Sequence, residues 1–431
     1  MFGRIFGTIT TRIVTAAITL LIVLVNSWVL GAEKVGTIAL ILLAVTLIQL
    51  VNNFVAGGAI VYLLPRTRLI QLFLPCCIWA LLTSAVGTLA LDTFHMIPAG
   101  YSWHVLALSV IYSMASANFQ ILLGQEKIRA FNIITVLQML ALVLTLFFLL
   151  FVVRLREVMA YVYGLYASYG LAFLVTMILV IPSLKPADLK GTRQVVREVF
   201  RYGSVMQTGN ILQFLNYRLG FYFIDFFMGR APLGIYNVGV QLSESIWLVS
   251  RSISMVQYTR ISNEKSREYA ARLTLTLVKI AFLLSLASLV AVFAVIFLFF
   301  PLIFKPEFRP IHIVMVSLAL GILVFSVSIV LSPYFSGLGM PKHNTISAGI
   351  GLAFTAVSGW LLVPRMGLIG GGIAASLSYL VSTLYQVIVF MKDTGYGIRD
   401  FGLKKHEIAA AVKEVRGFIS LKHNTSTIQL H

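Results

Sequence analysis

Charge is scarce in this chain, and acidic charge is scarcest. Asp and Glu number 15 against 33 Lys and Arg, and charged residues make up only 11% of the 431. A composition that is 59% hydrophobic lies well outside the range of soluble globular domains. Cysteine is nearly absent too. Cys76 and Cys77 are adjacent in an apolar segment, which excludes a disulfide framework or a metal-ligand spacing and fits small buried side chains. No glycine-rich phosphate loop, nucleotide motif or Ser/His/Asp set is present, so neither ATP use nor covalent catalysis is indicated and no enzyme is expected. His104 and His312 are single residues near span ends, so no cofactor or metal is expected either. The first apolar run is long and no small-residue cleavage site follows it, so no cleavable signal peptide is expected.

What is there is a series of apolar runs longer than the 18 residues a helix needs to cross about 30 Å of hydrocarbon. They predict an all-α polytopic membrane protein with about twelve spans: 11–30, 36–64, 69–91, 101–123, 131–153, 158–182, 204–228, 233–258, 273–300, 310–338, 344–363 and 367–391. The net charge of +18 could suggest nucleic acid, but its placement argues for no nucleic-acid partner. With the N-terminus inside, the inner segments hold 23 of the 33 Lys and Arg and the outer ones seven, among them Lys34, Arg154, Arg156 and Arg230. This bias predicts both termini in the cytoplasm. The outer loops are short and hold only Glu33, Asp92, Glu157 and Glu307 as acids. That disfavours a membrane glycosyltransferase or polymerase, which would carry a large outer loop with acidic catalytic residues.

The longest internal connection, 183–203, alternates Leu189, Val195, Val196, Val199 and Phe200 with Lys190, Arg193, Arg197 and Arg201. It reads as a basic amphipathic segment on anionic lipid of the inner leaflet. It divides the chain into an N-terminal six-helix lobe (1–182) and a C-terminal one (204–391). The basic tail, 392–431, repeats the style over about 403–420, either on anionic lipid or as a solvated helix.

Five residues that membrane helices normally exclude sit in the hairpin 204–259: Asn210, Arg218, Asp225, Glu244 and Arg251. A charge at bilayer depth costs about 2.5–3.5 kcal/mol on insertion scales, so such residues usually face a bundle interior or a water-filled cavity. Arg218 and Asp225 share a helix face with Gln207, and Glu244 shares one with Arg251. Counted from the outer turn at 1.5 Å per residue, Arg218 and Glu244 both lie roughly 15 Å deep, so they can form a structural ion pair. Arg251, near the inner end, has no obvious carboxylate at its level. It either binds an anionic headgroup in an inward cavity or snorkels to inner-leaflet phosphates. Arg12 and Lys279 pose the same choice. Asn52 and Asn53 lie mid-span and either line the cavity or bond between helices. Spans 1–6 hold no embedded carboxylate, which disfavours an exporter of cationic drugs.

The two halves carry matching punctuation. Gly31-x4-Gly36 after span 1 matches Gly229-x4-Gly234 after span 7, and at the same offset Asn53 falls opposite Arg251. Gly124-Gln125-Glu126-Lys127 matches Gly339-Met340-Pro341-Lys342. A duplicated six-helix unit follows, its repeats parallel and its substrate site at their interface.

The stretch Gly229-Arg-Ala-Pro-Leu-Gly-Ile-Tyr-Asn-Val-Gly-Val-Gln-Leu resembles the turn between spans 7 and 8 of polysaccharide flippases of the O-antigen type. Gly337-Leu-Gly-Met-Pro-Lys-His-Asn-Thr and Val363-Pro-Arg-Met-Gly-Leu-Ile-Gly-Gly-Gly-Ile-Ala-Ala-Ser resemble two of their later turns. These proteins belong to the multidrug/oligosaccharidyl-lipid/polysaccharide exporter superfamily. The resemblance implies two six-helix lobes around a central cationic cavity in the inner membrane, alternating access, and a polyprenyl-pyrophosphate oligosaccharide as cargo. It further implies other polysaccharide-assembly membrane proteins as partners. Arg251, Arg218, Arg12, Gln207, Asn210, Asn52 and Asn53 would contact substrate. Glu244 and Asp225 would couple an ion or form structural pairs, the drive being the membrane potential, a proton or sodium. An ion-coupled multidrug or metabolite antiporter is the alternative, and a scaffold without transport is third.

Overall fold

The computed structural model describes residues 2–184, 191–263 and 266–402. Among them the backbone is helical, without a strand. Hydrocarbon requires this, because a helix satisfies every backbone N–H and C=O within its own segment. Thirteen α-helices are described: α1 Phe2–Val29, α2 Ala32–Ala56, α3 Gly58–Leu63, α4 Leu69–Thr93, α5 Ser102–Gly124, α6 Ile128–Phe147, α7 Val158–Val180, α8 Thr192–Met228, α9 Arg230–Glu244, α10 Trp247–Asn263, α11 Arg267–Ile303, α12 Ile311–Gly337 and α13 Lys342–Thr394.

Eight stretches are long and apolar enough to cross a membrane on composition alone. The other expected spans are present as helices but escape that criterion for visible reasons. The apolar part of α1 described there, Val14–Val29, is short. α8 carries too many polar groups. α9 and α10 are separate pieces. α13 holds two spans merged across Gly367, whose φ of 59° and ψ of −131° break the helical path just after Pro364. The chain is a multi-pass, all-α membrane protein.

Three boundaries differ from the sequence expectation. First, α8 starts at Thr192, so 192–203 is not a separate linker but the first third of a 37-residue helix, roughly 55 Å long. Gly203 there does not end the helix. It lets α8 cross α2, since a Cβ would fall on the Phe54 carbonyl oxygen. Second, α2 stops at Ala56 and resumes as α3 at Gly58, with Gly57 extended between them. Third, the span expected at 233–258 breaks between Glu244 and Trp247. Lys185, Lys190 and the amphipathic tail at 403–420 lie outside the described residues.

The helices form two bundles. α1, α2 and α4–α7 pack on one another, and α8–α13 do likewise. The start of α8 is shared: Val199 belongs to the core of the first bundle, and Tyr202 packs on Tyr62 and Phe200 on Trp79 with ring centroids 4.7 and 4.9 Å apart. At the opposite end α2 meets α9. The matched glycines touch there. A Cβ on Gly36 would collide with the Arg230 carbonyl, and one on Gly234 with the Ala32 carbonyl. Their preceding caps share one conformation, φ 85° and ψ 171° at Gly31 against φ 88° and ψ −173° at Gly229. The first match read from the sequence is therefore repeated in backbone geometry. In the second, the left-handed residue is Glu126 in one half and Gly339 in the other, and the helices end at Gly124 and Gly337, two residues out of the register read from the sequence. An apolar cluster of Val23, Val35, Ile235, Val238, Phe304 and Phe308 seals this glycine-turn end.

Candidate functional site

Arg218 and Glu244 form a two-pronged ion pair. Nη1 donates to Oε1 at 2.8 Å and Nη2 to Oε2 at 2.7 Å. The side chains are 21% and 13% exposed, so the pair is largely withdrawn from the surface. Planar fork-to-carboxylate geometry makes this the strong form of the interaction. Glu244 is the last residue of α9, where the guanidinium also meets the negative end of the helix dipole. Aromatic rings lie beside the pair. Arg218 lies over Phe221 at 5.0 Å, and Tyr217, Trp247, Phe325 and Tyr379 pack on one another nearby with centroids 5.0–5.9 Å apart. Trp247 Nε1 donates to the Ile322 carbonyl at 2.9 Å, which fixes the start of α10. Asp225 makes a second pair, with Arg230 at 3.3 Å, across the Gly229 turn.

Arg251 is placed differently. It is exposed on α10, with its guanidinium carbon 5.8 Å from the Trp247 ring centre. No carboxylate pairs with it among the described residues. Asn210 on α8 is exposed too, and its Nδ2 donates to the Oε1 of buried Gln207 at 3.1 Å. Asn53 is half-buried on α2 and accepts from Gln49 Nε2 at 2.9 Å, while Gln49 Oε1 accepts from Ser113 Oγ at 2.9 Å. Asn52 is fully buried, and neither of its amide atoms has a partner among the described residues. Asn52 and Gln207 thus lie inside the helix packing, whereas Asn53, Asn210 and Arg251 reach the surface. Arg12 lies on α1, its side chain outside the described residues. The offset that matches Asn53 with Arg251 also matches Arg12 with Asn210. The four positions therefore form two sets, arginines on α1 and α10 and amides on α2 and α8.

Sequence reasoning missed Asn216. It is 1% exposed, and its Oδ1 accepts from Thr355 Oγ1 at 2.8 Å and, in a shorter contact, from Ser378 Oγ. This knot ties α8 to both halves of α13. An Asn among several polar residues of one helix announces a polar contact but not its partners, which lie more than a hundred residues away.

No protein-family model matches the chain. An uncharacterised membrane protein of Methanocaldococcus jannaschii is 23% identical over 202 residues, which are 46% of this chain and 39% of that protein. The chain thus spans less than half the length of that relative. Among solved structures, the lipid II flippase MurJ in an inward closed conformation superposes with a TM-score of 0.71 at 14% identity, over 93% of this chain and 89% of that one. An inward-facing multidrug resistance MATE family transporter of the MOP superfamily gives 0.70 at 14%, over 88% and 94%. A MOP superfamily transporter of Pyrococcus furiosus gives 0.58 at 15%, over 91% and 95%. For that transporter, a binding pocket of reverse polarity suggests a different function. The chain has the fold of MOP superfamily transporters. At these identities the likeness is one of architecture.

Proposed function

We propose that this protein is a flippase, not an enzyme, that carries a polyprenyl-pyrophosphate-linked oligosaccharide from the cytoplasmic to the outer leaflet of the inner membrane by alternating access. The observation that carries the reading is Arg251, an exposed cation of α10 without a carboxylate partner among the described residues, while Glu244 is already neutralised by Arg218. A pyrophosphate cannot cross hydrocarbon uncompensated, and a guanidinium supplies the fork its oxygens need. The arginines of α1 and α10 take the pyrophosphate. The amides of Asn53 and Asn210, on α2 and α8, take the glycan, whose hydroxyls need donors and acceptors. The prenyl chain stays in the bilayer. With Glu244 and Asp225 both paired, the membrane potential acting on the anionic cargo is the preferred drive. The basic ends face the cytoplasm, and the glycan is of the O-antigen kind, made by other polysaccharide-assembly membrane proteins.

The test is flipping in proteoliposomes of a fluorescent polyprenyl-pyrophosphate sugar that a quencher reaches from one side only. Wild type transports it. Arg251→Ala, folded and inserted, slows transport about tenfold to a hundredfold, the loss of about 1.5–3 kcal/mol expected for a hydrogen bond to a charged group. An unchanged rate in Arg251→Ala would remove the anion site. No flipping by folded wild type, with efflux of a cationic drug instead, would assign the protein to antiport.

A further inference from the structure

A cavity of about 180 Å³ lies between α4, α5 and α7, and the flippase reading makes no use of it. Its walls are Phe73, Phe173, Met114, Met177 and the chain's only two cysteines, Cys76 and Cys77. No lining residue is charged. One is polar: Asn118, 1% exposed. Its Nδ2 donates to Thr176 Oγ1 at 3.2 Å. The Thr176 hydroxyl itself donates to the Phe173 carbonyl at 3.0 Å, so it has no proton left for an amide oxygen. This fixes the amide orientation and leaves Asn118 Oδ1 as an acceptor with no donor among the described residues.

Size and chemistry together define what fits. An apolar cavity of about 150 Å³ accepts benzene, so this one holds a single ring or a short chain. The wall excludes charge, and the orphan oxygen calls for one donor. We propose that the cavity binds a small, uncharged, lipid-soluble phenol or alcohol, its apolar body against the Phe, Met and Cys side chains and its hydroxyl donating to Asn118 Oδ1. The site adjoins the interruption of α2. Cys76 Sγ lies 3.9 Å from the carbonyl oxygen of Val55, one residue before α2 stops. An occupant therefore braces the helix that carries Asn53. The inference stands independently of the cargo.

The native thiols report occupancy. In purified protein, 4-methylphenol at ten times its dissociation constant slows N-ethylmaleimide labelling of Cys76 and Cys77 about tenfold, as simple occupancy requires. Toluene, lacking the donor, protects at higher concentration only. Asn118→Leu erases the preference for the phenol, and Ala117→Leu, which fills the cavity, removes protection by both. A cysteine at lipid-facing Leu144, in a Cys76→Ser/Cys77→Ser background, labels at an unchanged rate. Equal slowing at that control position, or labelling of wild type indifferent to the phenol, overturns the proposal. If the buried thiols resist the reagent, the same ligands and variants are read by melting temperature. A rise in wild type that Ala117→Leu loses supports the site, and no rise overturns it.

Discussion

Glu244→Gln should destabilise the folded protein by about 3–5 kcal/mol, the cost of removing one partner from a buried ion pair. The substitution keeps the shape of the side chain and deletes only its charge. Arg218 then stays over the Phe221 ring with no anion among the described residues to replace Glu244. Exposures of 21% and 13% leave little solvent to screen the loss. The matching substitution Arg218→Gln should cost a similar amount. The double variant should recover most of it, because two amides can bond to each other and no uncompensated charge remains. Thermal unfolding in detergent measures all three. A Glu244→Gln protein as stable as wild type, with transport newly insensitive to pH, would make Glu244 a proton carrier and Arg218 its regulator rather than its permanent partner.

The ion pair is legible in the amino-acid sequence alone. Arg218 and Glu244 lie at equal distances from the glycine turn, and helical rise brings them level. The break beside the pair is not legible there. Ser243-Glu244-Ser245 contains no glycine or proline, so nothing local predicts that α9 stops at this point. The stop depends on distant partners: Glu244 turning to Arg218, and Trp247 bonding to the Ile322 carbonyl. In α2 the equivalent information is local, since Gly57 and Gly58 mark the interruption in the sequence itself. At Gly203 the reason is again a distant contact. The glycine serves a close crossing with Phe54, and the helix runs through it.

The candidate site divides along the same line. That Arg251 has no carboxylate at its level follows from depth counting along the hairpin alone. Burial of Asn52 and Gln207, by contrast, depends on which neighbour each helix presents to that face. Adjacent residues such as Asn52 and Asn53 point about 100° apart on a helix, and a uniformly apolar span gives no moment to choose between them. Asn216 shows the limit most clearly, because its partners Thr355 and Ser378 lie 139 and 162 residues away on the two halves of α13.

The other large effect is expected where the two repeats touch. Gly36 and Gly234 cross with backbone against backbone, and a side chain at either meets a carbonyl rather than a movable side chain. Gly234→Val should cost about 1–3 kcal/mol in the conformation that closes this end, the usual cost of overpacking. In a conformation where α2 and α9 have parted, it should cost nothing. The equilibrium therefore shifts toward opening at the glycine-turn end by about fivefold to a hundredfold, since about 1.4 kcal/mol is a factor of ten. The measurement uses a Cys76→Ser/Cys77→Ser background with a reporter cysteine at Asn210 in sealed proteoliposomes. A membrane-impermeant maleimide added from the glycine-turn side should label that cysteine faster by the same factor in Gly234→Val, and by less in Gly234→Ala. Transport falls in step, because a carrier held open on one side cannot complete its cycle. Gly36→Val, at the matching position of the other repeat, should act alike. Unchanged labelling in both variants, with folding intact, would mean that this crossing is not the closure and that the two bundles part elsewhere.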